Sequence, residues 1–173
     1  MMDQTRHPSS LALHKNTNSL RKRVHALIVH LFESTQIMVA YDCVFHHNSF
    51  NVKALNLPKY QTFEILGLSV NSTRLPMTLI TVYRPGSQHV SSVFFDEFAD
   101  LLERCSSYSQ CVIVGDINIH MDSSSSTCQQ FKSLLDDCGM ADCVNQPTHQ
   151  YNHQLDVFIS RVDKPPSSLT VEC

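Results

Sequence analysis

Apolar positions along this chain follow two rhythms, and each predicts its own kind of element. Leu11 to Leu13 is a short apolar segment of strand type. Asn16-Thr17-Asn18-Ser19 is loop chemistry, and Ser19 suits a helix N-cap. Leu20, Val24, Leu27, Ile28 and Leu31 recur at helical spacing, which predicts an amphipathic helix from Leu20 to about Phe32, with Arg21, Lys22 and Arg23 on its solvated face. Gln36 to Ala40 reads as a second strand, and Val44-Phe45 and Phe50-Asn51-Val52 as short strand pieces. Thr62 to Val70 and Met77 to Tyr83 are β-rich runs either side of Asn71-Ser72-Thr73-Arg74, the pattern of a hairpin. Ser91 and Ser92 open a helix carrying Val93, Phe94, Phe98, Leu101 and Leu102 on one side. A buried strand follows at Gln110 to Val114, and then a helix with Phe131, Leu134, Leu135 and Cys138 inward, stopped by Gly139. Val144 is a short strand candidate, Pro147-Thr148-His149 a turn, and Leu155 to Ile159 a final strand. Strands and helices alternate only in part, because hairpins intervene. That predicts an α/β sandwich of two mixed sheets flanked by helices, one domain over residues 8–162 with a frayed tail at 163–173.

Composition fits this picture. The 173 residues suffice for one domain with its own core, and 42% hydrophobic with 17% charged residues is ordinary for a globular chain. The net charge of −3 argues against a surface built wholly for nucleic acid, without excluding a small basic rim. The seven cysteines are odd in number, scattered and without a CxxC pair, so they read as reduced and mostly buried. No Cys/His spacing of the zinc type stands out, and the ten histidines are dispersed. With no signal peptide and no apolar run long enough to span a membrane, the expected place is the nucleus or cytoplasm, and the expected state a monomer.

Candidate chemistry concentrates in Cys111 to Asp122, CVIVGDINIHMD. Gly115 allows a turn that a side chain would obstruct, and Asp116 and Asn118, two apart, share a face at the strand exit. A carboxylate beside an amide can orient a water and meet a phosphate oxygen or hydrated magnesium. Asp and Asn also commonly open loops, and this stretch alone leaves both readings standing.

Four pieces taken together are more specific: Tyr83-Arg84-Pro85, Gly115-Asp116-Ile117-Asn118-Ile119-His120, Pro147-Thr148-His149 and Leu155-Asp156-Val157-Phe158-Ile159-Ser160. In this order they resemble the endonuclease/exonuclease/phosphatase superfamily, nearest to the apurinic-type endonuclease domain of non-LTR (LINE-like) retrotransposons. The helices FFDEFADLLE and FKSLLDDCGM also resemble that family. The resemblance implies metal-dependent phosphodiester hydrolysis that nicks DNA, with magnesium (or manganese) as cofactor. It implies that Asp116 orients or deprotonates the attacking water and serves as a metal ligand, and that Asn118 holds the water or the phosphate. Tyr83 would bond a phosphate oxygen, Asp156 would position a catalytic histidine, and Thr148 would support that arrangement. Asn16, in Asn16-Thr17-Asn18-Ser19-Leu20, aligns with the family's opening Asn-x-Arg-Ser-Leu segment.

Two motifs of the family are not found. The Thr-Glu-Thr-Trp-like motif with the main metal-binding Glu should follow Gln36 to Ala40, but Tyr41-Asp42-Cys43 stands there. The closing Ser-Asp-His motif is also missing, since no histidine follows His153. Impaired catalysis and weak magnesium binding are therefore expected; tight binding would instead point to a replacement ligand such as Asp42 or Glu64. His120, His149 and His153 read as surface or supporting residues. The alternative reading is a catalytically inactive transposon-derived fragment or binding module.

Overall fold

The computed structural model describes residues 11–15, 26–32, 35–40, 43–47, 51–71, 76–166 and 169. Strands β1 (Leu11–Lys15), β2 (Ala26–Phe32), β3 (Thr35–Ala40) and β4 (Cys43–His47) form one sheet in the order β1-β4-β3-β2, with every pairing antiparallel. The helix expected at Leu20 to Phe32 is not there: residues 26–32 are strand β2, and 20–25 lie outside the described residues. The run ALIVHLF is apolar nearly throughout and carries the β-branched pair Ile28-Val29, whose stiff side chains favour a strand. It also pairs with the strand that follows it in sequence, from Ala26 opposite Ala40 to Phe32 opposite Thr35. Helical spacing and a continuous buried strand cannot be told apart in so short a run.

The second sheet holds β5 (Asn51–Ala54), β6 (Glu64–Asn71), β7 (Pro76–Tyr83), β8 (Cys111–Asp116), β9 (Met140–Asp142) and β10 (Asp156–Arg161), in the order β5-β6-β7-β8-β10-β9. It is mixed. β6 and β7 pair antiparallel from Glu64 opposite Tyr83 to Asn71 opposite Pro76, as expected for the hairpin. β7 and β8 run parallel, which requires a crossover, supplied by helix α1 (Ser92–Ser106). Helix α2 (Ser126–Asp137) joins β8 to β9. Both helices start on a serine cap: the Ser91 hydroxyl accepts from the Phe94 N–H and the Ser125 hydroxyl from the Cys128 N–H. Gly139, at φ +64°, lets the chain leave α2 in a left-handed turn.

Alternation along the strands sorts the core into two faces. Ile80, Val82, Ile113, Val157 and Ile159 pack with Phe94, Phe98 and Phe131 of the helices. Leu68, Leu79, Val112, Val114 and Phe158 form the opposite face and are equally buried. Helices cover the first face. β8 lies inside its sheet, so β3, whose Cα atoms come within 8 Å of β8, approaches over the second. The result is an α/β sandwich. Leu169, in the segment read as a tail, packs against the second face. Among the described cysteines, Cys105, Cys111 and Cys128 are buried, Cys143 is half-buried, Cys138 is exposed, and all are free thiols.

Val144 is not in a strand. The chain leaves the sheet at Asp142, whose carboxylate takes over the ladder by accepting from the N–H groups of Val144 (3.1 Å) and Phe158 (3.0 Å) and from the Gln154 amide (2.8 Å). Burial pushes the Asp142 carboxyl up to about 6, against the pull of those donors. The folded-state value lies above the unfolded one, so the stability this group confers is complete below about pH 4 and is lost as pH rises through 6. Asp142→Asn is expected to flatten that slope. The stability difference between variant and wild type should shift by up to ~3 kcal/mol between pH 4 and pH 8, as read by urea unfolding.

Gly115 is a strand position where a side chain would run into backbone. Its φ is +144°, and a Cβ there would sit 2.0 Å from the Val82 carbonyl oxygen. Gly115→Ala is expected to cost about 3 kcal/mol or more in the same measurement, because the obstacle is backbone of the paired strand.

Candidate active site

The expected site residues gather at one end of the larger sheet. In register, Glu64 lies opposite Tyr83, Tyr83 beside Asp116, and Asp116 opposite Asp156. This row crosses β6, β7, β8 and β10, with neighbouring strands about 4.8 Å apart. Each of its residues is an even number of positions from a residue of the second apolar face: Leu68, Leu79, Val114 and Phe158 respectively. The row is therefore the polar continuation of the face that β3 approaches.

Asp116 is buried, and its carboxyl is pushed up to about 7. Burial is the larger cause and the facing charge of Asp156 the next; hydrogen bonds from Asn118 and the charge of Arg84 pull the other way. The Asn118 N–H donates to Asp116 Oδ1 at 2.8 Å, which fixes the carboxylate's orientation. Asn118 itself has φ +48°. Its side-chain amide donates to the Arg84 carbonyl at 2.7 Å, and its Oδ1 stands where a Cβ on residue 86 would fall, so Gly86 makes room for it. Thr148 is buried below the start of β10, where its hydroxyl accepts from the N–H groups of Leu155 (3.1 Å) and Asp156 (3.0 Å). Tyr83, Asp116, Asn118, Thr148 and Asp156 are thus brought together. Asn16 lies outside the described residues, as does Asp42.

Sequence reasoning missed the residue that holds the loops in place. Arg84 is only 3% exposed. Its guanidinium donates to the carbonyls of Ile117 (2.5 Å), Gln88 (2.7 Å) and Asn118 (2.6 Å), and lies 5.8 Å from the ring centroid of Phe94. One planar fork therefore joins the exit of β7 to the exit of β8 and to α1. The available signal was its place inside the Tyr83-Arg84-Pro85 piece, directly after an apolar strand. Asp142 gave no signal of its own.

No family profile matches the chain, and no curated protein matches it by sequence. Solved structures do resemble it. The endonuclease domain of TRAS1, a telomere-specific non-LTR retrotransposon, superposes with a TM-score of 0.59 at 12% identity, over 88% of this chain and 66% of that one. A humanized D. rerio TDP2 carrying 14 mutations gives 0.47 at 13% identity, over 82% and 64%, and an endonuclease/exonuclease/phosphatase family protein from Bacteroides thetaiotaomicron gives 0.43 at 10%, over 70% and 55%. The TRAS1 domain carries the comparison. The chain has an endonuclease/exonuclease/phosphatase-like fold and spans just under two thirds of the TRAS1 domain's length. No described helix is long and apolar enough to cross a membrane.

The Arg84 fork is open to a direct test. Arg84→Lys keeps the charge but cannot reach three carbonyls in one plane, and is expected to cost about 2–4 kcal/mol. Arg104→Lys, at an exposed pair with Asp100, should cost less than about 1 kcal/mol. Urea unfolding of the two variants side by side reads the difference.

Proposed function

We propose that the chain is a metal-dependent phosphodiesterase that nicks DNA, of the type found in non-LTR retrotransposons, and that it works well below the rate of an intact domain of that type. The observation that supports this most is the in-register row Tyr83–Asp116–Asp156 at the strand ends. In this reading Asp116 takes the proton of the attacking water. The Asn118 N–H keeps the carboxylate oxygen aimed, and a carboxylate within hydrogen-bond reach of the water can accept its proton. The Tyr83 phenol donates to a phosphate oxygen. Asp156, whose backbone N–H donates to the Thr148 hydroxyl, stands opposite Asp116 and completes the acidic end of the row. Asn16 joins this site on sequence grounds alone.

Asp116 and Asp156 form an oxygen-only pair that suits magnesium or manganese, and they would hold it together with waters and the phosphate. Glu64, in the same row, is a further carboxylate within reach of this end of the sheet. When bound, such an ion screens the phosphate charge and stabilises the leaving oxygen. No Glu-bearing motif follows Gln36 to Ala40, so one electrostatic contribution is missing. One such group typically contributes about 10²–10³ in rate.

Supercoiled-plasmid nicking in magnesium or manganese tests the proposal, with Asp116→Asn run alongside. Slow nicking is expected, about 10²–10³ below an intact endonuclease domain, and both chelator and the substitution should abolish it. Equal nicking by the variant would remove Asp116 from the chemistry. DNA binding with no nicking at all would make the chain a binding module and overturn the enzymatic reading.

A further inference from the structure

Beyond the acidic row, two loops run side by side. One leaves β8, from Ile117 to Ser125; the other precedes β10, from Thr148 to Leu155. They are stitched by backbone hydrogen bonds from Ile117 N–H to the Leu155 carbonyl (3.2 Å) and from Met121 N–H to the Gln154 carbonyl (2.9 Å). In the first loop Ile119 and Met121 are buried, so His120 and Asp122 are left facing outward. His153, next to Gln154 on the second loop, meets them there. The two imidazole rings lie edge to face with centroids 4.5 Å apart. The Asp122 carboxylate spans both: Oδ2 is 3.3 Å from His153 Nδ1, and Oδ1 is 3.9 Å from His120 Nδ1. One ligand atom from each residue lies within 4.8 Å of the other two.

We propose that His120, Asp122 and His153 form a binding site for a divalent transition-metal ion of the zinc type. Zinc bound tetrahedrally at 2.0–2.2 Å sets its ligand atoms about 3.4 Å apart. The His153–Asp122 edge already has that length, and the other edges close by rotation of exposed side chains. Two imidazoles and one carboxylate are a nitrogen-rich donor set that favours zinc, cobalt or nickel over magnesium. Three protein ligands leave a fourth position for water, and the exposed side chains leave a path for the ion.

The backbone of all three ligands is already held. The His120 carbonyl accepts from the Ser123 N–H and hydroxyl, and the His153 carbonyl from the N–H groups of Thr148 and His149. Lys132 Nζ donates to the Met121 carbonyl between His120 and Asp122. Binding therefore orders only side chains. An ion here clamps together the loops that carry Asn118 and Thr148. The site differs in donors and in place from the oxygen-only row at Asp116, and does not depend on nuclease activity.

The test is titration of the demetallated chain with cobalt(II) in excess magnesium, followed by displacement with zinc. A one-to-one visible d–d spectrum of tetrahedral intensity, without a thiolate charge-transfer band, is expected, and zinc should raise the melting temperature. His120→Ala, His153→Ala and Asp122→Ala should each weaken binding at least tenfold, while His149→Ala should leave it unchanged. The ligand side chains are exposed, so the variants without metal should melt as the wild type does. X-ray absorption of the zinc-loaded wild type should show two imidazoles and no sulfur, a readout that no variant can confound. A thiolate spectrum, sulfur scattering, binding that survives the double variant His120→Ala/His153→Ala, or no binding at micromolar zinc would overturn the assignment.

Discussion

A buried guanidinium organises the functional end of this molecule. Arg84 is a charge taken out of water, tolerable only because carbonyl oxygens of Ile117, Asn118 and Gln88 face it in one plane. Those carbonyls belong to the segments that leave β7 and β8, so satisfying the arginine fixes both exits at once. Asn118 closes the arrangement from the other side: its amide returns a hydrogen bond to the Arg84 carbonyl while its N–H aims the Asp116 carboxylate. The residue that holds the loops and the residue proposed to do chemistry are thus coupled through one residue, Asn118. The positive charge of Arg84 also moderates the proton affinity of Asp116, which burial and Asp156 together raise.

The sheet supplies the second constraint. Parallel pairing of β7 with β8 and antiparallel pairing of β8 with β10 bring three strand ends to the same level. Period-two alternation then leaves Tyr83, Asp116 and Asp156 no choice of face. They lie on the side opposite the helices, in line with Val114 and Phe158, where the second sheet closes over the core. A one-residue slip would send every one of them toward Phe94 and Phe98. Gly115 belongs to the same constraint, because the close approach of its backbone to Val82 holds β8 in register with β7.

Much of this was legible in the sequence, and the exceptions have physical causes. Both helices, the β6–β7 hairpin, β8 and β10 follow from runs long enough for their period to be unambiguous. Asp116, Asn118 and Asp156 stand out in the sequence through the Gly-Asp-x-Asn and Leu-Asp-Val patterns, and the structure sets them side by side at one sheet end. β2 did not, because a seven-residue run with six apolar positions satisfies helical and strand spacing equally well, and what separates them is pairing with β3. Arg84 and Asp142 were missed because a charged residue looks solvent-facing until the carbonyls or N–H groups around it are known. His120 and His153 stand 33 positions apart, and no local spacing announces a contact that arises only when two loops are stitched together.

The β8 exit also shows how one alternating pattern serves two environments. Ile117, Ile119 and Met121 continue the helix-side core past the end of the strand, which obliges Asp116, Asn118, His120 and Asp122 to take the other side. Along those four residues solvent access rises, from buried Asp116 through half-buried Asn118 to exposed His120 and Asp122. The chemistry follows that gradient. A carboxylate deep at the sheet end, facing another carboxylate, has its charge amplified by poor solvation and responds strongly to a hard cation or a phosphate. An imidazole and a carboxylate in water gain little from Coulomb attraction, so any ion held there depends on directed nitrogen donors in a fixed geometry. The apolar residues at 117, 119 and 121 set both environments, since they decide how deep each polar neighbour sits.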